Sequence, residues 1–271
     1  MKRIYLKTIF SAPNEIKFIK MNLHEAFDHI DKFFVCESNR SHTGAEKSLI
    51  FKEHLKKDFS EIEREKIEYI PSDISELTEY SNTDGKVIHR NENLIRGIFE
   101  REVKLHSNDI IFSVDADEIL YSHVYEKALD EIGFFRKALK LKLHQFFYRM
   151  NYLWVGKEFI APTVCKVSFY KNKFPGQWRY DGKLLEEWAG CHFSWQLTVE
   201  EMVWKLKNYS HTHDYGHLAN KEILEDAINK KKYPFDPKVN FDIQVLDVDK
   251  SSDLYPKSFH VLKEHFKDLI V

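Results

Sequence analysis

The sequence predicts an α/β fold with a mainly parallel sheet and helices on both of its faces. Apolar runs alternate with helix-period segments before residue 133, as in βαβ units. Beyond that point longer half-exposed strands predict a mixed α/β continuation that ends in helices. With 271 residues, of which 43% are hydrophobic and 14% aromatic, the chain can bury a large core. We therefore expect one domain with two halves, residues 1–133 and 134–271.

The first half is predicted to contain four strands with helices between them. Ile16, Ile19 and Leu23 recur at spacings of three and four, which is the period of an amphipathic helix. Pro71 is expected to close the third strand. The expected strands are 3–10, 32–37, 66–70 and 109–114, and the expected helices are 15–28, one from about 47, 86–106 and one from about 122.

The second half is predicted to begin with a long strand over residues 139–147. Every second residue shares one face of it, from Leu139 through Gln145 to Phe147. Thr198 and Glu201 form a capping box that opens a helix. Further strands are expected at 163–170 and 190–195, and further helices at 198–208, 217–230 and 258–269.

Composition argues against several classes of protein and site. The 41 Lys and Arg residues nearly balance 43 Asp and Glu residues, and this net charge of −2 predicts no nucleic-acid partner. Cys36, Cys165 and Cys191 show no Cys-x-x-Cys spacing, which favours neither a disulfide framework nor a zinc site and predicts a reducing, cytoplasmic location. No stretch approaches the roughly 20 apolar residues that cross a bilayer, so no transmembrane segment is expected. The oligomeric state is left open.

Asp115 and Asp117 are separated by one residue where a short apolar run ends. In an extended segment alternate side chains share a face, so both carboxylates can point at one divalent cation. Mg²⁺ and Mn²⁺ take oxygen ligands and commonly share them with water and substrate phosphates. The pair follows the fourth expected strand, at the edge where open α/β sheets bind ligands. Helix capping is the alternative, and Asp247 and Asp249 repeat the same spacing elsewhere.

The loops after the first two strands carry groups suited to a nucleotide donor. Asn14 and Glu15 are expected to bond a base or ribose, although Asn14 is equally suited to cap the first helix. Glu37 and Ser38 offer acceptors for ribose hydroxyls. Lys47 offers a cation for phosphate, and a solvated surface position is its alternative.

The long helix before the fourth strand supplies further donor-side candidates. Arg90, Asn91 and Arg96 lie on it, and an arginine there can pair with a pyrophosphate through two hydrogen bonds. Surface ion pairs with Glu92 or Glu100 are the alternative for the arginines.

Aromatic and histidine side chains cluster in the second half. Aromatic faces pack against sugar rings, so one or two of them are expected to touch an acceptor while the rest pack in the core. His211 is expected to complete the coordination of the metal, and His192 and Asp214 are expected on the acceptor side with Trp195. The tryptophans are Trp154, Trp178, Trp188, Trp195 and Trp204.

In these motifs the chain resembles glycosyltransferase family 17, which includes the β-1,4-mannosyl-glycoprotein β-1,4-N-acetylglucosaminyltransferases. The matching pieces occur in order over about residues 8–215. Glu-Ser-x-x-x-x-Thr-Gly at 37–44 and Asp-x-Asp-Glu-Ile at 115–119 together are far more specific than either alone. The other pieces are residues 10–15, Lys47, Phe51, Arg90, Asn91, 94–97, 190–195, Lys205, Leu206, Ser210 and His211.

The resemblance implies a GT-A-like, Rossmann-like fold and inverting transfer of a hexose, such as GlcNAc, from a nucleoside-diphosphate donor to a saccharide acceptor. A UDP-sugar is the favoured donor and Mn²⁺ or Mg²⁺ the expected cofactor. Residues 1–133 would bind the donor and residues 134–271 the acceptor. Cys191, Leu120 and His89 depart from the pattern of the family, so the choice of donor or acceptor is expected to differ.

An inverting reaction needs a base to take the proton of the acceptor hydroxyl. Glu187, next to Trp188, is the first candidate for this base, and Glu186 and Asp214 are the second choices. The alternative for the two glutamates is that they lie at an exposed end of a helix.

Two other functions compete with transfer. One is a metal-dependent hydrolase of phosphate or glycosidic bonds that uses the histidines and aspartates, and the other is a non-catalytic carbohydrate-binding protein.

Overall fold

The predicted α/β organisation is present in the computed structural model, which describes residues 2–133, 136–170, 173 and 179–271. Among the described residues, the helices are too short or too polar to cross a membrane. The strands are β1 (Ile4–Phe10), β2 (Lys32–Ser38), β3 (Ile67–Ser72), β4 (Ile110–Ser113), β5 (Glu118–Leu120), β6 (Ala138–Phe147), β7 (Tyr152–Lys166), β8 (Lys183–Ser194) and β9 (Ile243–Val245). The α-helices are α1 (Ile16–Ala26), α2 (Phe51–Asp58), α3 (Glu61–Lys66), α4 (Gly85–Arg96), α5 (Ile98–Glu102), α6 (Ser122–Glu131), α7 (Val167–Tyr170), α8 (Val199–Asn208), α9 (Thr212–Tyr215), α10 (Lys221–Asn229) and α11 (Lys257–Leu262), and 3₁₀ turns occur at Pro13–Glu15, Gly216–Leu218, Ser252–Leu254 and Lys263–Leu269.

The described strands join one sheet in the order β3-β2-β1-β4-β7-β6-β8-β5, and β9 pairs with β7. The strands β3, β2, β1 and β4 are parallel, as the alternating pattern predicts. The second half is mixed: β7 is antiparallel to β4, β6 and β9, β8 is parallel to β6, and β5 is antiparallel to β8. The short β5 is therefore separated from β4 in the sheet, although it follows β4 directly in the chain.

Both faces of the parallel strands are covered, because successive side chains point to opposite sides. Leu6 and Phe112 lie in the core with residues of α1 and α6. Tyr5 and Ile111 point the other way and pack with residues of α4 and α5. The prediction of helices on both faces is confirmed, and this burial holds the carboxyl ends of the strands in fixed positions.

Several boundaries differ from the prediction for local reasons. The expected helix 86–106 breaks at Gly97 and ends at Glu102, because glycine is a poor helix former and the break turns α5 onto the sheet. The expected strand 163–170 ends at Lys166 and continues as α7. Pro71 does not end β3, which is an edge strand where a missing N–H is tolerated. The helix expected from about residue 47 begins only at Phe51.

Candidate active site

A cleft of about 690 Å³ opens at the carboxyl ends of the parallel strands. Its walls come from the loops after β1 and β2, the turn after β4, the end of β8, and α8 with the residues that follow it. Segments far apart in the sequence therefore meet at one place. The predicted site residues that line it are Asn14, Glu15, Ser38, Lys47, Arg96, Asp115, Asp117, His192, Trp195 and His211.

Asp115 and Asp117 lie in a tight turn between β4 and β5, so the expectation that they share the face of an extended strand is wrong. The Glu118 N–H donates to the Asp115 carbonyl at 3.0 Å, and the Asp115 N–H donates to Oε2 of Glu118 at 2.7 Å. From β8, the Phe193 N–H donates to the Asp117 carbonyl at 2.9 Å. Both carboxylates still line the cleft, because the hydrogen bonds between Asp115 and Glu118 and the one from β8 fix the position of the turn.

Two arginines bind the carboxylate of Asp115. Arg96 donates to both of its oxygens, at 2.8 and 3.3 Å, and Arg179 donates to Oδ2 at 2.9 Å. Arg179 also donates to both oxygens of the buried Glu118, at 2.7 and 2.8 Å. Burial opposes ionisation of Asp115, but Arg179 and Arg96 hold its pKa well below its usual value. The sequence analysis did not identify Arg179 or Glu118 as residues of the site.

Within the described part of the chain, Asp117 makes no ion pair with an arginine. Oδ1 of Asp117 lies 3.7 Å from Nε2 of His192, and the side chain keeps 23% of its surface exposed. Burial opposes its ionisation, but His192 and Lys205 hold the pKa of Asp117 below its usual value. Asp117 is therefore an ionised carboxylate with part of its surface open to the cleft.

This donor set fits a particular kind of metal site. No group of three His, Cys, Asp or Glu side chains in the described part of the chain could hold an ion, so Asp115, Asp117 and His211 are not a preformed site. Asp115 has both oxygens bound to arginine, which leaves Asp117 as the open ligand. The set fits an ion that takes most ligands from phosphate and water, as Mg²⁺ commonly does.

Glu15 places a further carboxyl group in the cleft, in addition to those of Asp115 and Asp117. Its Oε2 accepts the N–H groups of Ser11 and Ala12, at 2.6 and 3.4 Å, so the loop after β1 fixes its direction. Burial, with a contribution from Asp117, raises the pKa of Glu15 to about 7. The group can therefore take up a proton near neutral pH, as a general base must.

Glu37 does not face the cleft, which corrects its expected contact with a ribose. The side chain is fully buried, and its oxygens accept the N–H groups of Ile50 and Phe51, both at 3.0 Å. Tyr69 donates its hydroxyl at 2.7 Å and Lys47 its ammonium at 3.3 Å. Glu37 therefore anchors the start of α2, and this explains why the helix begins at Phe51.

Asn91 is also a structural residue, which corrects its expected donor contact. Its buried amide donates to the carbonyls of His42 and Glu79, at 3.1 and 2.7 Å. Gly44 makes the close approach of these loops possible, because it has a φ of +81° and an added Cβ would lie 2.2 Å from the Glu79 carbonyl oxygen. Thr43-Gly44 and Asn91 therefore hold the loop that carries His42 into the cleft.

Three other predicted site residues lie outside the cleft lining. Glu187 belongs to β8 and pairs with Lys127 of α6, so it is not placed to deprotonate an acceptor there. Arg90 is half-exposed and pairs with Glu79 at 2.9 Å, whereas the surface alternative named Glu92 or Glu100 as the partner. Asp214 is half-exposed and accepts from His211 at 3.3 Å.

Two tryptophans line the cleft. Trp195 is buried beside Lys205, whose ammonium lies 5.0 Å from the ring, and Trp204 is 47% exposed. Trp154 packs in the core, and Trp188 stacks on the His144 ring at 4.0 Å, away from the lining. Trp178 lies outside the described residues. The exposed face of Trp204 is the one suited to contact a sugar ring.

The motifs that build this cleft are those of a known family, and the family profile described as glycosyltransferase family 17 matches residues 1–236. The chain belongs to glycosyltransferase family 17. It is therefore a glycosyltransferase, and the donor and acceptor of the reaction are a nucleotide sugar and a saccharide. The positions that depart from the family pattern include Cys191 and Leu120, both of which are buried in the core.

Other comparisons are remote. No curated protein matches this family 17 chain significantly. Among solved structures, a 4-diphosphocytidyl-2C-methyl-D-erythritol synthase is 10% identical with a TM-score of 0.41, and the match covers 76% of this chain and 98% of that one. The corresponding synthase from Anaerococcus prevotii DSM 20548 is 12% identical with a TM-score of 0.37, over 63% of this chain and 74% of that one.

Proposed function

We propose that the cleft transfers a hexose from a UDP-sugar to a saccharide, with inversion at the anomeric carbon. The supporting observation is the composition of the cleft at the carboxyl ends of the parallel strands. Asp117 shares it with four cationic side chains, and together they suit a metal-bound diphosphate. The cations are Arg40, Lys47, Arg96 and Lys205.

The proposed donor lies on the side of residues 1–133. Arg96, held in place by Asp115 and Glu92, would pair with the diphosphate, and Lys47 would add a second positive charge. Asn14 and Ser38 offer hydrogen bonds to the nucleoside from the loops after β1 and β2. The acceptor would bind on the side of residues 134–271, where Trp204 exposes its ring.

Mn²⁺ or Mg²⁺ is the proposed cofactor, and when bound it would neutralise charge on the leaving diphosphate. Asp117 would hold the ion, since it is the open carboxylate of the turn. Asp115 would act through Arg96, which it holds in the wall of the cleft.

Glu15 is the proposed general base, and it replaces Glu187, the first candidate of the sequence analysis. The acceptor oxygen would bond to the anomeric carbon as the bond from that carbon to the diphosphate oxygen breaks. The hydroxyl proton would pass to Glu15, and the bonding electrons would leave with the diphosphate. Support comes from the place of Glu15 in the cleft and its raised pKa, about 7.

Nucleotide binding with and without Mn²⁺ tests this proposal. Ligand at 100 times its dissociation constant stabilises the folded protein by about 2.7 kcal/mol. At about 2–4 °C per kcal/mol, UDP with Mn²⁺ should raise the melting temperature by about 5–11 °C. The Asp117→Asn variant should lose the dependence on Mn²⁺. Failure of every nucleoside diphosphate to stabilise the wild-type protein with metal would contradict the proposal.

A product assay separates transfer from hydrolysis. Incubation with a UDP-sugar and a panel of saccharides should give a new glycosidic bond together with UDP. Release of free sugar at the same rate with and without acceptor would instead favour a hydrolase.

A further inference from the structure

The loop after β2 holds His42 at a fixed place in the wall of the cleft. The Ser41 N–H donates to the Ala45 carbonyl and the Gly44 N–H donates to the Ser41 carbonyl, both at 2.9 Å. The carbonyl of His42 itself accepts from the buried Asn91 amide at 3.1 Å. The backbone of His42 is therefore fixed from inside the loop and from α4.

Neither ring nitrogen of His42 has a hydrogen-bond partner among the described residues. Nδ1 is enclosed by the protein, whereas Nε2 is not enclosed and is the nitrogen that a molecule in the cleft can reach. Buried polar atoms without a partner are few in native proteins, and each needs an explanation. Burial lowers the pKa of His42 to about 4, so the ring is neutral near pH 7. A neutral imidazole has one donor and one acceptor nitrogen, which suits a hydroxyl group.

The position of His42 indicates which hydroxyl group it meets. Asn91, which holds His42, and Arg96, the proposed diphosphate contact, lie on the same helix about one and a half turns apart. In the sheet, β2 lies on the side of β4 away from β7, β6 and β8. His42 therefore stands beside the diphosphate and away from the acceptor half. In a nucleotide sugar, the group attached to the diphosphate on that side is the ribose.

We infer that His42 binds a ribose hydroxyl of the donor and so selects ribonucleotides over deoxyribonucleotides. This inference rests on the proposed function. His42 takes the contact that the sequence analysis gave to Glu37, whose carboxylate is instead bound to the start of α2. The hydroxyl of Ser38 in the same loop already donates to the Arg40 carbonyl at 2.9 Å, so it is left only to accept. A site built to bond a hydroxyl rejects a molecule without one, because its polar atom stays unpaired.

The test compares UDP with 2′,3′-dideoxy-UDP by calorimetric titration of the full-length protein in Mn²⁺. The wild-type protein should prefer UDP by about 10-fold or more, the factor expected for a hydrogen bond to a buried group. His42→Ala should lose most of this preference and still bind the dideoxy nucleotide within about 2-fold of wild type. His42→Phe should behave in the same way, because it keeps a ring of similar size and removes both nitrogens.

His29→Ala is the matched control. The His29 side chain is also largely buried, at 19% exposed, but it precedes β2 and so lies at the amino end of the parallel strands. Its replacement should leave the preference for UDP unchanged within about 2-fold. A shift as large as that of His42→Ala would show that the loss does not come from a contact in the cleft, and it would overturn the inference.

The outcomes separate this inference from the proposed function. If the wild-type protein binds no nucleoside diphosphate with metal, the proposed function fails and the inference fails with it. If it binds GDP in place of UDP, GDP and its dideoxy analogue give the same comparison. If the wild-type protein binds the nucleotide but both His42 variants keep its preference, the inference alone is overturned. Equal weakening of both nucleotides by the variants would indicate a structural role and would overturn it as well.

Discussion

Replacing Arg179 with methionine should destabilise the protein strongly, because it leaves a charge buried without its partner. Arg179 supplies both side-chain hydrogen bonds to the fully buried Glu118, at 2.7 and 2.8 Å, and one to Asp115. Removing one partner of a buried pair costs about 3–5 kcal/mol. At about 2–4 °C per kcal/mol the melting temperature should fall by about 6–20 °C. Urea unfolding of Arg179→Met measures the loss directly.

The pH dependence of this variant follows from Glu118. Burial raises the pKa of Glu118 even in the native protein. Without Arg179 the folded-state pKa should rise further above its unfolded value of about 4.3. A raised carboxyl pKa contributes stability below the unfolded pKa that is lost as pH rises through the folded pKa. The deficit of Arg179→Met should therefore shrink as the pH is lowered toward 4.3.

Arg90→Met is the matched control. Arg90 also pairs with a glutamate, Glu79, but the two side chains are 48% and 67% exposed. Exposed pairs contribute about 0–1 kcal/mol, so this variant should unfold nearly like the wild-type protein. The reasoning is refuted if Arg179→Met loses no more stability than Arg90→Met. It is also refuted if the double variant Arg179→Met with Glu118→Gln is no more stable than Arg179→Met alone.

Two further variants test the base and the loop support. Glu15→Gln should lower kcat/KM for transfer by about 10²–10⁴-fold with UDP affinity unchanged. Wild-type kcat/KM should rise with pH through about 7 as Glu15 loses its proton, and the variant should lose this limb; unchanged transfer rates would exclude Glu15 as the base. Asn91→Ala should cost about 1–3 kcal/mol in urea unfolding, because the carbonyls of His42 and Glu79 lose their donor. Asn93→Ala, an exposed change on the same helix, should stay within about 0.5 kcal/mol of wild type, and equal losses from the two would contradict this role.

The sequence was sufficient to predict the parallel strands and most of the cleft wall. Residues after β1, β2 and β4 must meet, since the carboxyl ends of parallel strands lie at one edge of the sheet. The face of each side chain was harder to predict. Glu37 and Ser38 are neighbours in the sequence, but Glu37 binds the start of α2 while Ser38 lines the cleft. Nothing in their spacing tells these roles apart.

Contacts made across strands of the second half could not be read from the sequence. Arg179 meets Glu118 across 61 positions of chain, and β5 leaves β4 to pair with β8. The hydrogen bond between Gln145 and Nδ1 of His192 depends on the parallel register of β6 and β8. One signal was present: Gln145 is a polar residue on a strand face otherwise filled by leucines and phenylalanine. A buried polar side chain needs a partner, and here the partner lines the cleft.

The two aspartates of the Asp-x-Asp motif therefore differ in role although their sequence context is nearly the same. The turn after β4 sends Asp115 toward Arg96 and Arg179, and β8 holds Asp117 opposite His192. Two carboxylates that both stayed free in one buried place would repel each other and raise their own pKa values. Arg179 and Arg96 offset the burial of Asp115, and His192 and Lys205 offset both burial and the charge of Asp115 at Asp117, so the pKa values of both aspartates stay below the usual value. In the proposed mechanism the same contact with Asp115 directs Arg96 to the diphosphate, which would link the motif to the donor side of the cleft.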